Sequence, residues 1–362
     1  MKTVGIIGGG AWGTAIAKTL ADQGHKVELW ALEKEVVQSI NQNQENSLYL
    51  PGVTLPKGML ANEDMKAVAN EKDFLIFSNP SLYLLDSVRQ VITVPSIAEG
   101  LTTIGVLTKG FIHTNRGPRM ILETMEDYLP GFYKGNLVYI SGPSHAEEVS
   151  RGKLTGLISA SQNPKNSIRF RELLNGPGLM VFSSLDVVGV QIAAAMKNVI
   201  AIAFGIMDAL KEFSGSVGDN TESLLLAAGL NEIQVLARAM GSTHPETFTS
   251  IAGVGDLDVT CRSVHGRNRR FGREIVLKKI LTPYTSLEDV LAHLKDIGYL
   301  PEGAVAVSNV MDYASKYGIK LPISRAVYRI LNRDSEPAEE IGNILQGLTG
   351  ARFDLHITVD AP

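Results

Sequence analysis

One lysine sits where an ammonium group is hardest to keep. From Val187 to Met207 the chain reads VVGVQIAAAMKNVIAIAFGIM, and Lys197 is its only charge. A stretch this apolar, bounded by Asp186 and Asp208, reads as a helix buried on most faces. Burial penalises the charged form of a lysine and moves its pKa toward neutrality unless partners intervene. That is how a protein obtains a lysine able to exchange protons near neutral pH. Snorkelling or a structural ion pair are the plain alternatives. The run is long enough to cross a bilayer, but a central Lys with Gln191 and Asn198 beside it reads against a membrane span.

The chain opens with a second constraint. A short apolar run, KTVGII, leads directly into Gly8-Gly9-Gly10-Ala11-Trp12-Gly13 and then into a helical pattern, TAIAKTLADQG. Glycines at this spacing, between a strand and a helix, allow a tight turn (Gly8), close backbone approach to a pyrophosphate (Gly10) and close helix packing (Gly13). The helix start adds free N–H groups and a positive dipole end. A further strand, KVELWAL, begins at Lys26.

With 362 residues, two domains with substantial cores are expected. A net charge of -4 gives no electrostatic footprint for nucleic acid. Cys261 is the only cysteine, which excludes an intramolecular disulfide framework and suits a reducing cytoplasm. The first residues lack the basic n-region of a signal peptide.

Along residues 1–186, β-like runs alternate with helical stretches: FLIFSN, TTIGVLT, NLVYISG, TGLISAS and LMVFSSL follow the opening unit. This predicts an α/β domain, a Rossmann-type doubly wound parallel sheet. Residues 187–349 read as an all-α domain, with helices over 187 to about 213, 221–240, 267–280, 287–296, 304–317 and 325–331. The tail, 350–362, has no clear periodicity.

Polar residues cluster where strands of the first domain end: Asn79-Pro80-Ser81, Thr108-Lys109-Gly110 and Ser141-Gly142-Pro143-Ser144-His145-Ala146. Ligands of open α/β sheets bind at those ends. In the second domain Asp256 opens a helix and Thr260 shares its face; an N-cap role for Asp256 stays open. Arg267, Arg269, Arg270 and Arg273 form either a solvated basic face or a phosphate clamp with Asn268. No HExxH, CxxC or GxSxG occurs, so neither a metal nor an acyl-transfer mechanism is expected.

Taken together, the chain resembles the NAD(P)-dependent glycerol-3-phosphate dehydrogenase family over about residues 2–348. The resemblance rests on GGGAWGTAIA, LTKG, ISGPSHAEEV, MKNVIAIAFG, GDNTES, GVGDLDVTC, GRNRRFG and PEG, in that order. It implies that NAD(H) or NADP(H) is the cofactor and dihydroxyacetone phosphate and sn-glycerol 3-phosphate the substrates, in a cytoplasmic homodimer. Lys197 corresponds to the proton donor and acceptor, Lys109 to a lysine at substrate and cofactor, and Asp256 and Thr260 to the polar partners of the catalytic lysine. Gly142, Ser144, Asn198, Gly266, Arg267 and Asn268 correspond to substrate positions. Gly8, Gly10, Ala11, Trp12, Gly13, Leu32, Ala146, Arg267, Leu300 and Glu302 correspond to cofactor positions. Gly266, Leu32 and Ala11 stand where many members carry polar residues, and the loop from Asp208 to Gly218 is longer than usual. The rivals are a sister dehydrogenase acting on a β-hydroxy acid or ketopantoate, and a dinucleotide-sensing module without turnover.

Overall fold

A computed structural model describes residues 1–115 and 117–349. It divides into two compact units, Met1–Ile112 with Arg119–Gln191, and His113–Pro118 with the chain from Ile192 onward. This division falls inside the apolar helix, while the sequence places its boundary at 186/187.

The first unit is built on an eight-stranded sheet. Its strands are β1 (Thr3–Ile7), β2 (Lys26–Trp30), β3 (Met59–Asn62), β4 (Phe74–Phe77), β5 (Thr103–Val106), β8 (Val138–Ser141), β9 (Thr155–Ala160) and β10 (Leu179–Ser184). The remaining strands, β6 (Phe111–Thr114) and β7 (Gly117–Met120), form a separate pair. The main sheet runs β10-β9-β8-β5-β4-β1-β2-β3. The order reverses beside β1, and the crevice at such a switch point is where doubly wound sheets bind ligands.

The sheet is the expected doubly wound parallel one, with a single antiparallel seam. β8 and β9 pair antiparallel, Tyr139 facing Ala160, so β9 and β10 run against the other six strands. The carboxyl ends that matter for a ligand are therefore those of β1, β2, β4, β5 and β8. Apolar runs such as FLIF in β4, fully buried, explain why these strands form: both faces are covered. Phe170 packs edge-on against Phe74 with centroids 5.1 Å apart, deep in the core. Burying one such ring stabilises the fold by about 1.5–3 kcal/mol.

Within the second unit the Val187–Leu210 helix is the centrepiece. Its apolar window is long enough to span a membrane, yet 94% of it is buried inside the protein. Neighbours approach it closely where glycine removes a side chain. A Cβ on Gly272 would strike the Ile202 carbonyl oxygen, and one on Gly303 would strike that of Asn198. A buried glutamate also joins distant helices. Glu232, in the Asp219–Ala239 helix, accepts bonds from the Ser324 N–H (3.1 Å), the Ser324 hydroxyl (2.8 Å) and the Ile323 N–H. It thereby caps the Pro322–Leu331 helix, whose first N–H groups have no intrahelical partner. Burial pushes the Glu232 carboxyl up to about 7.

Candidate active site

Each unit presents one polar constellation. In the first, the Gly8–Gly13 turn joins β1 to the Ala11–Asp22 helix, with Gly10 as N-cap. Gly8 has φ +130°, a conformation closed to most side chains. A Cβ on Gly13 would drive into the Gly8 carbonyl oxygen, whereas one on Gly10 would meet nothing within 4 Å. The turn is therefore packed on its protein side and open at Gly10, which suits a pyrophosphate laid against bare backbone at a helix N-terminus. Ala11 and Trp12 occupy the first helical turn, both partly buried.

A residue that sequence reasoning missed holds this turn in place. Asn46, fully buried, donates to the Gly9 carbonyl (2.8 Å) and to the Thr14 hydroxyl (2.8 Å). It lies in the polar stretch NQNQENS, where nothing in the sequence sets one asparagine apart.

The other strand-end signatures gather in the same unit. The Thr108 hydroxyl donates to the Asn79 carbonyl (2.7 Å), clamping the end of β5 to that of β4 and setting half-buried Lys109 beyond it. Asn79 Oδ1 is buried and lacks a hydrogen-bond partner among the described residues. Gly142 has φ +137° and the Ser144 hydroxyl donates to its carbonyl (2.8 Å), which shapes the turn after β8. Ala146, buried, starts the short helix that follows. Leu32 is 74% exposed, just past β2.

In the second unit, Lys197 is 5% exposed and its Nζ donates to Asp256 Oδ1 in a buried ion pair. A π-type turn over Ile251–Gly255 precedes Asp256, and Gly255 is the N-cap of the Asp256–Arg262 helix. Asp256 is thus the first helical residue and not the N-cap, and its carboxylate pairs with the lysine. That counter-charge opposes what burial alone does to the ammonium. The Thr260 hydroxyl donates to the Asp256 carbonyl (2.6 Å), one turn back on the same face. Cys261, next along, is fully buried, and burial pushes its thiol far above the usual range.

A chain of amides lies alongside the lysine. The Gly303 N–H donates to Asn268 Oδ1 (2.9 Å), Asn268 Nδ2 to Asn198 Oδ1 (3.0 Å), and Asn198 Nδ2 to Glu302 Oε2 and the Ala194 carbonyl (3.4 Å each). Asn268 is only 6% exposed, so its carboxamide braces three helices rather than standing open to solvent. Glu302 begins the helix that Gly303 docks, with Leu300 just before it.

The arginine cluster divides sharply. Arg269 and Arg273 both bind Asp208 (2.5 and 2.8 Å), Arg273 also binds Glu212, and Arg270 pairs with Glu274 (3.0 Å) while stacking on Tyr299. Arg267, exposed on the first turn of the Arg267–Leu277 helix after the N-cap Gly266, has no ion pair among the described residues. Among the described residues it is the one guanidinium of the four without an ion pair. Sequence spacing did not separate these roles: Arg269 and Arg273 are engaged by Asp208 and Glu212, far away in the chain, and Arg270 by Glu274, one turn on.

A glycine turn open to a pyrophosphate on a doubly wound sheet, and a buried lysine–carboxylate pair on a helical unit, define a nicotinamide-dependent dehydrogenase. Comparison with known proteins narrows the class. Residues 3–167 match the N-terminal family model of NAD-dependent glycerol-3-phosphate dehydrogenase, and residues 186–342 match its C-terminal one. The glycerol-3-phosphate dehydrogenase [NAD(P)+] of Treponema denticola is 53% identical over 352 residues, covering 96% of this chain and 99% of that protein. Its counterpart in Bacillus subtilis is 35% identical over 336 residues, 91% of this chain and 90% of the relative. The solved glycerol-3-phosphate dehydrogenase of Coxiella burnetii superposes with a TM-score of 0.80 at 31% identity, over 95% of this chain and 99% of that one. A ketopantoate reductase from Ralstonia eutropha reaches 0.55 at 16% identity, a likeness of fold alone. The chain belongs to the NAD-dependent glycerol-3-phosphate dehydrogenase family, and is an oxidoreductase that works with NAD or NADP.

Proposed function

We propose that this protein interconverts dihydroxyacetone phosphate and sn-glycerol 3-phosphate, with Lys197 as the proton donor and acceptor. The observation that carries this is the buried Lys197–Asp256 pair. When bound, the nicotinamide supplies hydride to C2 of the ketone or takes it back. As hydride reaches C2 the ketone oxygen becomes an alkoxide, which needs a cation beside it and then a proton. Lys197 provides both, and Asp256 orients the ammonium and restores its charge balance. Lys109, from the first unit, assists electrostatically, with Gly142 and Ser144 shaping its part of the substrate turn.

Arg267 holds the substrate phosphate with the first-turn N–H groups of its helix, a setting suited to phosphate. Gly266, the N-cap, is buried, and a Cβ there would press on the Thr260 carbonyl oxygen. Asn268 contributes by fixing Asn198 and the Glu302–Tyr317 helix, and Thr260 by setting the pitch on which Asp256 stands. Grip on the phosphate positions the reacting carbon through binding energy remote from the chemistry. Leu32, Ala146, Leu300 and Glu302 complete the cofactor side. The reading carries with it a cytoplasmic homodimer that supplies glycerophospholipid synthesis.

The test is oxidation of reduced nicotinamide with dihydroxyacetone phosphate and, separately, with ketopantoate or a β-keto acid. Turnover is expected with the phosphate alone; turnover with the carboxylates instead would replace this reading with a sister dehydrogenase. Arg267→Ala is expected to raise KM for the phosphorylated substrate about tenfold or more while Arg270→Ala leaves it unchanged. An unaltered KM in the first variant removes Arg267 from the clamp.

A further inference from the structure

The family works with NAD or NADP, and an acidic residue after the second strand of such a sheet selects NAD; two carboxylates lie there, Glu28 and Glu33. The structure separates them. Glu28, inside β2, accepts from Asn62 Nδ2 (3.1 Å) and pairs with Lys72 (3.2 Å), so both its oxygens are engaged. Glu33 lies beyond the end of β2, where the glycine turn packs: Gly8 donates its N–H to the Trp30 carbonyl (3.1 Å), and a Cβ on Gly9 would collide with Ala31.

Glu33 is also held. The Tyr49 hydroxyl donates to its Oε1 (2.7 Å), while Glu33 does not use its side chain to cap the Lys34–Asn43 helix that it precedes. Burial and the facing carboxylate push the Tyr49 hydroxyl up to about 12, so it stays a donor throughout the working range. Among the described residues the other carboxylate oxygen has no hydrogen-bond partner. A steadied carboxylate about twenty residues past the last glycine of the turn is what accepts from a ribose 2′-hydroxyl.

The surrounding charges point the same way. Leu32, Glu33, Lys34 and Glu35 include no arginine, and the one cation, Lys34, has a side chain 77% exposed and lies 3.9 Å from Glu63. A 2′-phosphate brings a charge near -2 and needs guanidinium or ammonium partners. Here it would meet Glu33, Glu35 and Glu63 against a single solvated lysine. Resting on the reading of Gly8–Gly13 as the cofactor turn, we infer that Glu33, steadied by Tyr49, accepts from the adenosine ribose 2′-hydroxyl, and that the enzyme selects NAD(H) over NADP(H).

The experiment is calorimetric titration of the full-length protein with NADH and with NADPH, for the wild type, Glu33→Gln and Tyr49→Phe. Wild-type affinity for NADPH is expected to be about 30-fold weaker than for NADH. Glu33→Gln should bring the two within about threefold of each other by removing the repulsion, and Tyr49→Phe should erode the ratio through weaker NADH binding. Wild-type affinities within about threefold of each other overturn the inference, as does a ratio untouched by Glu33→Gln. Binding of neither nucleotide would instead overturn the cofactor reading of the glycine turn, and the selectivity with it. Should Glu33→Gln not fold, the wild-type ratio and Tyr49→Phe still decide.

Discussion

In the first unit the groups proposed to face a ligand are mostly backbone: glycines, a helix start, and turns after strand ends. In the second, the groups proposed for that role are side chains, Lys197, Asp256 and Arg267, the first two joined across a long stretch of chain and the third on the first turn of its helix. Backbone sites need only the right conformation, which glycine spacing announces over six consecutive residues. Side-chain sites need a counter-charge in a dry interior, and Asp256 reaches Lys197 from 59 residues away. The first kind of site tolerates change around it as long as the turn keeps its shape. The second kind, on the proposed reading, couples catalysis to folding, because a buried charge must also be balanced.

The sharpest way to break this contrast is Lys197→Ala. The variant should lose about 10³-fold in kcat while NADH affinity, measured by titration, stays within about twofold. Near-normal turnover would remove the lysine from the chemistry. Next in size is Asp256→Asn, which leaves a buried ammonium without its counter-charge and should cost about 3–5 kcal/mol in urea unfolding. The paired change Lys197→Met with Asp256→Leu should restore most of that stability and none of the activity. If stability stays low in the pair, the loss came from packing and not from charge.

A third test uses pH. Glu232 titrates at about 7 in the folded chain against 4.5 in an ordinary setting. A raised carboxyl pKa means its contribution is fully present below about 4.5 and is lost as pH rises through about 7. Between pH 5 and 8 the wild type should therefore lose on the order of 3 kcal/mol relative to Glu232→Gln. Parallel pH profiles for the two proteins would show that Glu232 does not carry this linkage. The smallest effect is expected from Asn46→Ala. Releasing the glycine turn should weaken NADH binding about three- to tenfold with kcat unchanged, and an unaltered affinity would mean that the turn holds its shape alone.

What could be read from the sequence follows the same division. The strand–glycine–helix unit, the long apolar helix and the order of elements were legible because their signals are local and periodic. β3 and the β6–β7 pair were not: MLAN is a four-residue edge strand with Leu60 turned outward, and the hairpin carries Pro118 within a strand. The reversal between β8 and β9 was equally hidden, since a buried strand reads alike in either direction. At the site, residue types were visible but their commitments were not. Nothing in GRNRRFG distinguishes Arg267 from Arg270, and nothing in NQNQENS marks Asn46.

Cys261 gives the protein a built-in clock. Its sulfur is shut away beside the Lys197–Asp256 site and is held in the unreactive thiol form. A thiol reagent can reach it only during an opening of the second unit, so labelling reads the frequency of that opening in a single-cysteine protein with no background. The same trace, taken as substrate and cofactor are added, reads how much each one slows that opening.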